Sequence, residues 1–388
     1  MKALKLIYDG LASFGFACIL FVLLFILTLV GTLEQVDRGL FYVQKEYFES
    51  LIAVHRIGGV PVPLPGVYLL LLLLTLNLIL GGIVKMRNKK SRLSVLVIHI
   101  GIIVLLGGSM IQFLMSNNGN VLLFEGQSAA EYRDYYDWEI AIGELKDDGS
   151  ITERVVPGIE FIHLPAGKTR QIVSADLPFD LEIQSYLDNA LPMPKGPMFE
   201  TAQKVVDGYF LQPQPLSKEA EQNVAGAYVT IKEKATGAVR EAILWGFSEF
   251  PLALEIAGKT YALELRKEAR PLPFTVTLEK FTRELHPRTN MASNFHSKVT
   301  KTDGSVAQQH DIKMNEPLRY KGYTMYQASW GPPDAGPNDK LYSVFAVVRN
   351  PADQMPLYAC VIITLGMLLH FAQKLMKHIR AENKRLAS

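Results

Sequence analysis

Two histidines, His99 and His370, lie inside long apolar stretches of the chain, where an ionisable side chain is costly and becomes a candidate for function. His99 is six residues after Leu93, where one apolar stretch begins, and His370 is four residues before Lys374, where a basic run begins. At 1.5 Å of rise per helical residue, the two imidazoles lie roughly 9 Å and 6 Å from the same membrane face. Two imidazoles at a similar depth can ligate one metal ion, including a haem iron.

A third polar side chain, Asn77, lies in another apolar stretch, eight residues before Lys85 and so roughly 12 Å from the same face. Its amide can bond an imidazole and fix which ring nitrogen carries the hydrogen. The alternative for Asn77 and for each histidine is an ordinary hydrogen bond to a neighbouring helix. We predict a metal or cofactor site that uses His99 and His370, with Asn77 beside His99.

These residues are positioned by four apolar stretches, each long enough to cross a hydrocarbon core as a helix. Their predicted bounds are Leu11–Leu33, Gly66–Val84, Leu93–Met115 and Pro356–Gln373. The first has no small-residue cleavage site after it, so we interpret it as a retained anchor and not a signal peptide. The sequence therefore predicts three spans within residues 1–115, and a final span with a basic tail within residues 355–388.

Lysine and arginine set the predicted orientation, because cytoplasmic loops carry an excess of them. They precede the first span, fill the loop between the second and third spans, and follow the last: Lys2, Lys5, Lys85, Arg87, Lys89, Lys90, Arg92, Lys374, Lys377, Arg380, Lys384 and Arg385. Both termini are thus predicted to be cytoplasmic, and residues 116–354 extracytoplasmic. The formal net charge of +2 comes mainly from this pattern, and we predict no nucleic-acid partner.

Residues 116–354 alternate short apolar-patterned runs with turn residues, which is typical of an antiparallel sandwich or barrel. The candidate strands are Val121–Glu125, Asp180–Tyr186, Tyr228–Lys234, Tyr261–Arg266, Phe274–Phe281, Tyr323–Ser329 and Tyr342–Arg349. Hairpin turns are predicted at residues 235–237 and 303–304. Proline and glycine clusters predict loops at Leu191–Met198, Pro213–Pro215 and Gly331–Pro337. The predicted fold class is a membrane protein with four transmembrane α-helices, arranged three and one around a large β-rich extracytoplasmic domain.

Several enzyme classes are excluded by motif. No G-x-S-x-G, H-E-x-x-H, Walker A or G-x-G-x-x-G run occurs. Both cysteines, Cys18 and Cys360, lie in spans, and no C-x-x-C or C-x-x-C-H motif is present, so the chain is neither a thiol oxidoreductase nor a c-type cytochrome. The histidines of the outer region are not at metal-ligand spacing: His163, His286, His296 and His310.

Several runs, in chain order, resemble the ResB (CcsB) family of cytochrome c biogenesis proteins. In or beside the spans these are LVGTLEQV at Leu29–Val36, VPLPGVYLLLLLLTLN at Val62–Asn77 and LVIHIGIIVLLGG at Leu96–Gly108. In the outer region they are FTRELHPRTNMASNFHS at Phe281–Ser297 and NEPLRYKGYTMYQASW at Asn315–Trp330. The layout of three spans, one large outer domain and a final span also resembles that family.

The resemblance implies a subunit of the membrane cytochrome c synthase complex, system II, which works with a CcsA (ResC)-type partner. Together they carry haem across the bacterial inner membrane and present it to apocytochrome c for thioether attachment. Haem b would be a transient cargo, and the outer domain would be periplasmic. Because the partner's tryptophan-rich motif is absent here, this chain would be the non-catalytic or co-catalytic half of the haem lyase. The family's transmembrane histidine maps onto His99, whereas His370 is supported mainly by its depth.

Two alternatives use the same sequence differently. A b-type electron-transfer subunit would hold haem between His99 and His370 without any partner. A structural scaffold would hold apocytochrome clients on its outer domain and would need neither histidine. In the ResB reading, the second axial ligand beside His99 is either His370 or a histidine of the partner.

Overall fold

The structure is a computed structural model that describes residues 2–57, 60–85, 93–165, 167–196, 202–285, 292–332 and 339–387. The chain divides into two units, one formed by Met1–Ser116 with Asn350–Ser388 and the other by Asn117–Arg349. Some residues named above lie outside the described ranges: Arg87, Lys89, Lys90, Arg92, His286 with the rest of 286–291, and residues 197–198 and 333–337 of two predicted loops.

The first unit is helical, as expected of leucine-rich runs without internal proline. Its α-helices are α1 (Lys2–Leu11), α2 (Phe14–Arg38), α3 (Leu40–Val43), α4 (Val67–Asn77), α5 (Leu93–Met115) and α6 (Met355–Leu386). Two π-helices, Gln44–Phe48 and Leu78–Val84, continue α3 and α4. A hairpin of β1 (Ile52–Ile57) and β2 (Val60–Pro65) follows the first π-helix.

Among the described residues, four helices are long and apolar enough to cross a membrane: Phe14–Arg38, Val67–Val84, Leu93–Met115 and Met355–Leu386. Only 11–22% of each spanning window is buried within the protein, so large side chains such as Phe25 and Leu368 face outward. An apolar surface of this extent is stable in lipid and not in water. The chain is therefore a membrane protein, and the predicted four-helix, three-and-one membrane fold is confirmed.

The second unit is β-rich, and its described strands pair antiparallel. The strands are β3 (Asn117–Phe124), β4 (Ser128–Leu145), β5 (Ile151–Pro157), β6 (Arg170–Ile172), β7 (Phe179–Leu187), β8 (Ala190–Pro194), β9 (Tyr209–Pro213), β10 (Gly226–Glu233), β11 (Val239–Trp245), β12 (Leu252–Ile256), β13 (Lys259–Leu285), β14 (Ala292–Asp303), β15 (Val306–Ile312), β16 (Leu318–Tyr320), β17 (Tyr323–Gly331) and β18 (Tyr342–Arg349).

The largest sheet runs in the order β15-β14-β13-β4-β3-β18-β17-β16, with β12 paired to β13 and β5 paired to β4. It curves into a nearly closed barrel, so the predicted β-rich domain is confirmed. A four-stranded sheet in the order β11-β10-β7-β6 and a ribbon of β8 and β9 complete the unit. β13 is 27 residues long, and its register with β4 shifts between Lys267 and Ala269, which bends the pair.

Two hydrophobic cores lie along the long β4–β13 pair. One fills the barrel, with Val276, Met325 and Phe345 fully buried. The other packs the four-stranded sheet against the amino-terminal half of β13, and buries Phe179 and Leu263. The alternation of apolar residues that suggested strands is the same alternation that fills these cores.

One loop prediction is wrong in part. Residues 191–194 of the predicted loop Leu191–Met198 belong to β8, which pairs with β9 and places Pro192 opposite Leu211. Of the predicted loop Pro213–Pro215, Pro213 ends β9, whereas Gln214 and Pro215 lie in a loop as predicted. A two-stranded ribbon leaves each strand a free edge, where a proline that cannot donate a hydrogen bond is tolerated. Both predicted hairpin turns are confirmed, because Gly237 and Gly304 have positive φ angles between consecutive paired strands.

Candidate functional site in the membrane unit

The third and fourth spans, α5 and α6, pack closely because glycines face the partner helix. A Cβ built on Gly101 would lie 2.6 Å from Ile363 Cγ1, and one on Gly366 would lie 2.9 Å from the backbone nitrogen of Ile98. Small residues at such crossings let two helix backbones approach in a membrane. The space beside Gly366, one turn before His370, is therefore occupied by the facing helix α5. This contact positions the part of α6 that carries His370.

His99 lies on α5 against the π-helix Leu78–Val84. Its Nδ1 atom is 3.0 Å from the carbonyl oxygen of Gly82. A carbonyl can only accept, so Nδ1 carries the hydrogen and the lone pair is on Nε2. A backbone carbonyl bound to Nδ1–H is a common way of orienting an imidazole whose Nε2 binds a metal. The His99 side chain is half-buried.

Gly82 makes this contact possible in two ways. It lies in the last turn of the π-helix, and this turn brings its carbonyl oxygen to the His99 ring. It also has no side chain, and a Cβ at this position would lie 2.5 Å from His99 Nδ1. π-helical turns inside longer helices frequently occur at functional sites. The sequence pair Gly81-Gly82 was the signal that could have indicated a close approach here.

His370 lies at the crossing of α5 and α6. Its Nδ1 is 3.3 Å from the hydroxyl oxygen of Ser94, and that hydroxyl donates to Gln373 Oε1 at 3.0 Å. Since Ser94 gives its one hydrogen to Gln373, it accepts from Nδ1–H of His370, which again leaves the lone pair on Nε2. Ser94 is 1% exposed, so this orientation is fixed inside the helix pair.

The two histidines have the same tautomer, with the hydrogen on Nδ1, but they have different partners. Ser94, which binds His370, precedes His99 by five residues on α5, which is about 140° around the helix. His99 contacts the second span, and His370 contacts α5. Among the described residues, no group of three or more His, Cys, Asp or Glu side chains is arranged to hold a metal ion. Ligation of one metal by His99 and His370 together therefore stays a prediction.

Asn77 ends α4 and is 9% exposed. Its Nδ2 atom donates to the carbonyl oxygens of Leu11 and Ser13, at 2.6 Å and 2.9 Å. Both amide hydrogens thus hold the elbow between α1 and α2. The role of Asn77 beside His99 stays a prediction, and the contacts in the structure assign the side chain a different task.

A polar cluster that sequence reasoning missed lies where α2 ends. Tyr47, 1% exposed, has its hydroxyl 2.6 Å from His55 Nδ1, and Glu34 Oε1 is 3.5 Å from the same nitrogen. These side chains come from α2, the π-helix Gln44–Phe48 and β1. The sequence carries no periodic signal for this cluster, because its three members lie on separate elements joined by irregular turns.

The two runs of the second unit that resemble the ResB family meet inside the barrel. Ser297 on β14 donates to Gln327 Oε1 at 2.6 Å, and Gln327 Nε2 donates to Ser343 Oγ at 2.6 Å and to the Ser329 carbonyl at 3.0 Å. Ser297 and Ser343 are fully buried. The network joins β14 to the pair of β17 and β18, and β14 is a neighbour of neither strand in the sheet. The network therefore helps to close the barrel.

These features define a class: a membrane protein of four spanning helices, with two intramembrane imidazoles whose Nδ1–H groups are held, and a β-rich domain built on a nearly closed barrel. Residues 256–338 match the model of the ResB-like family. The resemblance to the ResB family is thereby confirmed, and this segment of the chain is ResB-like.

Two curated relatives point the same way. The cytochrome c biogenesis protein CcsB of Gloeobacter violaceus is 41% identical over 84 residues, which cover 20% of this chain and 18% of that protein. Protein NrfI of Wolinella succinogenes is 28% identical over 100 residues, which cover 25% of this chain and 10% of that protein. The matched part of the chain thus spans less than a fifth of the length of either relative.

Proposed function

We propose that this chain is a subunit of the machinery that attaches haem to cytochromes c, and that it binds haem as a cargo within the membrane. The ResB-like segment and a relative named as a cytochrome c biogenesis protein support the biological setting. The four apolar helices support a location in a membrane, for which we propose the bacterial inner membrane with both termini cytoplasmic and the β-rich unit periplasmic.

The observation that carries the haem proposal is the orientation of His99. Its Nδ1–H is held by the Gly82 carbonyl at 3.0 Å, so the Nε2 lone pair is available without any prior change of tautomer. A neutral imidazole with its other nitrogen bonded is the donor that haem iron binds in many proteins. The donor set of the membrane unit therefore fits haem iron as cargo.

The second axial ligand comes from His370 or from a histidine of a CcsA/ResC-type partner subunit. His370 has the same tautomer as His99, because Ser94 accepts from its Nδ1–H. However, the two imidazoles contact different helices, which favours a site completed by the partner over one made by this chain alone. In the complex, this chain presents the haem and the β-rich unit receives the apocytochrome c client.

The test is co-expression of the chain with and without a CcsA-type partner, followed by absorption spectra of the purified protein. We expect haem to co-purify with the wild-type complex and to be lost from His99→Ala. His378→Ala is the matched control, because His378 lies on the same α6 helix as His370 but its side chain is 75% exposed beyond the span. Equal haem content in wild type and His99→Ala would refute the ligand role.

The same spectra separate the alternatives. An electron-transfer subunit would retain haem and give a reversible redox spectrum when the chain is expressed alone. A scaffold would tolerate replacement of both His99 and His370 with no loss of cytochrome c assembly. The proposal expects haem retention that depends on the partner, and assembly that fails with His99→Ala.

A further inference from the structure

The helix α1 has two distinct faces. Viewed down its axis, with 3.6 residues per turn, Leu4, Ile7, Tyr8 and Leu11 lie along one side, and Lys2, Lys5 and Asp9 lie along the other. Leu6 is the exception, an apolar residue on the polar side. No residue of α1 is buried, and Leu4 and Ile7 are 76% and 60% exposed. An apolar stripe of this kind on an unburied helix requires a partner.

The elbow that joins α1 to the first span is fixed to the second span. Asn77 donates to the carbonyl oxygens of Leu11 and Ser13. Ser13 also caps the start of α2, because its hydroxyl accepts from the Phe16 backbone nitrogen at 3.1 Å. A Cβ on Gly81 would lie 2.7 Å from the Ala12 carbonyl oxygen, so the elbow rests directly on the π-helix.

These contacts set the depth of α1. The elbow meets Gly81, four residues before Lys85, the first basic residue after the second apolar stretch. At the rise of an α-helix this is roughly 6 Å from the end of the span. Amphipathic surface helices lie with their apolar face about 5–10 Å into the boundary between headgroups and acyl chains. The elbow therefore places the carboxyl-terminal end of α1 at the depth that such a helix occupies.

Lipid is the occupant that continuity favours. The outward-facing apolar surface of the first span begins immediately after the elbow, where Phe14 is 85% exposed and follows the last residue of α1 by three residues. The polar side carries two lysines against one aspartate, a positive balance that complements anionic headgroups. We propose that α1 lies in the membrane–water boundary, with Leu4, Ile7 and Leu11 among acyl chains and its lysines on anionic phospholipid headgroups.

The test uses thiol accessibility in the full chain. Cys18 and Cys360 are replaced by alanine, single cysteines are placed at Leu4→Cys and Leu6→Cys, and the protein is reconstituted in nanodiscs of phosphatidylcholine and phosphatidylglycerol. The pair is matched, since both leucines are 76% exposed and differ only in the face of α1 they occupy. A membrane-impermeant maleimide should react about tenfold more slowly at Leu4→Cys, because that position is buried in the boundary.

Equal rates at the two positions would overturn the proposal. So would efficient disulfide cross-linking between copies at Leu4→Cys, because that result assigns the apolar face to a second copy of the chain. Ile7→Cys and Lys5→Cys repeat the comparison at a second position on each face, and they should follow Leu4→Cys and Leu6→Cys respectively.

The lipid charge is tested separately with an environment-sensitive dye at Leu4→Cys. Its emission should shift to shorter wavelength when phosphatidylglycerol is added to phosphatidylcholine nanodiscs, and the shift should be lost in the variant that also carries Lys2→Gln and Lys5→Gln. Emission that does not respond to phosphatidylglycerol in the parent protein would overturn the assignment of the lysines to anionic headgroups.

Discussion

The barrel contains a buried polar network and the membrane unit contains two half-buried imidazoles, and the hydrogen bonding of the two sets differs. In the barrel, Ser297, Gln327 and Ser343 bond one another, and the Gln327 amide also bonds a backbone carbonyl. In the membrane unit, His99 and His370 each have one nitrogen held, which leaves the lone pair of the other on the ring edge. The first arrangement is self-contained, and the second has capacity to bind something else.

The two regions differ in whether every hydrogen-bonding atom of their polar side chains has a partner, and this difference separates a structural role from a functional one. A buried polar network in which the members satisfy one another stabilises a particular packing. An oriented imidazole in a membrane is costly and is expected where a ligand completes it. Substitutions in the barrel network should therefore change stability without changing haem content, and substitutions around His99 should do the reverse.

The largest effect is expected from Gly82→Ala. The added Cβ would lie 2.5 Å from His99 Nδ1 and would displace the imidazole from its carbonyl partner. Loss of such an orienting bond lowers metal affinity by about 10–100-fold, so haem should be largely lost from the purified complex. Gly107→Ala is the control, because a Cβ there has no atom within 4 Å and alanine favours helix. Haem content that survives Gly82→Ala would break the link between orientation and binding.

The next effect is expected from Gln327→Leu, which removes three hydrogen bonds from the barrel network. Ser297 and Ser343 keep a contact of 3.0 Å with each other, so the loss falls at the lower end for buried polar groups, about 1–2 kcal/mol. The three tryptophans of the chain, Trp138, Trp245 and Trp330, all lie in the second unit, so their fluorescence during urea unfolding in detergent reports on that unit.

The matched control for this loss removes the whole network. Replacing Ser297 and Ser343 by alanine together with Gln327→Leu leaves no unpaired side chain, and only the Ser329 carbonyl loses its donor, so part of the stability should be recovered. Haem content should be unchanged in both variants. A fall in haem content with Gln327→Leu at unchanged stability would show that the barrel network takes part in function, and the contrast between the two regions would fail.

The sequence predicted the membrane spans well because a hydrophobic run of fixed length has few alternatives. The third span, Leu93–Met115, has the predicted bounds, and the second differs by one residue at its start. The last helix continues to Leu386, because the basic residues after the span are themselves good helix formers. α1 was missed, although the spacing of Leu4, Ile7 and Leu11 is the signal for it.

The sequence pattern predicted where strands occur along the chain, but it could not predict which strands pair with one another. Tyr261–Arg266 and Phe274–Phe281 were expected as two strands and belong to the single strand β13, which bends across the two cores. The contacts of Ser94, Gly82 and Asn77 were also beyond reach, since each depends on which helix faces which. Apolar helices in lipid carry little amphipathic signal, so the sequence does not specify their packing faces.

A smaller effect concerns Lys267, whose ammonium lies 4.2 Å from the centre of the Trp138 ring. Burial lowers the pKa of Lys267 to about 8, and the nearby carboxylates of Asp134, Asp137 and Glu221 only partly oppose it. The unfolded chain therefore binds more protons than the folded chain between pH 8 and the ordinary lysine pKa of 10.5, and Lys267 adds stability as the pH rises through this window. Relative to Lys267→Met, the wild type should gain about 1 kcal/mol between pH 7.5 and 9.5, after allowance for solvent screening.

Tryptophan fluorescence during urea unfolding measures this difference, and the comparison with Lys267→Met cancels the titration of other groups. If the difference in the free energy of unfolding between the wild type and Lys267→Met stays constant across the pH range, the folded domain keeps Lys267 charged without a loss of stability. Lys267 would then belong with the polar groups of the barrel whose hydrogen bonds are all satisfied.

The smallest effect is expected from the pair of His296 and Asp311, with Nδ1 and Oδ1 2.7 Å apart near the domain surface. Burial alone would raise the pKa of Asp311, but the hydrogen bond and charge of His296 and the charge of Lys313 outweigh it, so the pKa of this carboxyl is lowered. The stabilisation is therefore present above the ordinary aspartate pKa and is lost as the pH falls through the lowered value. A double-mutant cycle with His296→Ala and Asp311→Asn should give a coupling of about 0.5 kcal/mol at neutral pH, because the pair is partly exposed. A coupling of several kcal/mol would instead mean that the fold holds the orientation of His296 as strongly as that of His99. The distinction between an oriented imidazole in the membrane unit and a paired imidazole near the domain surface would then be wrong.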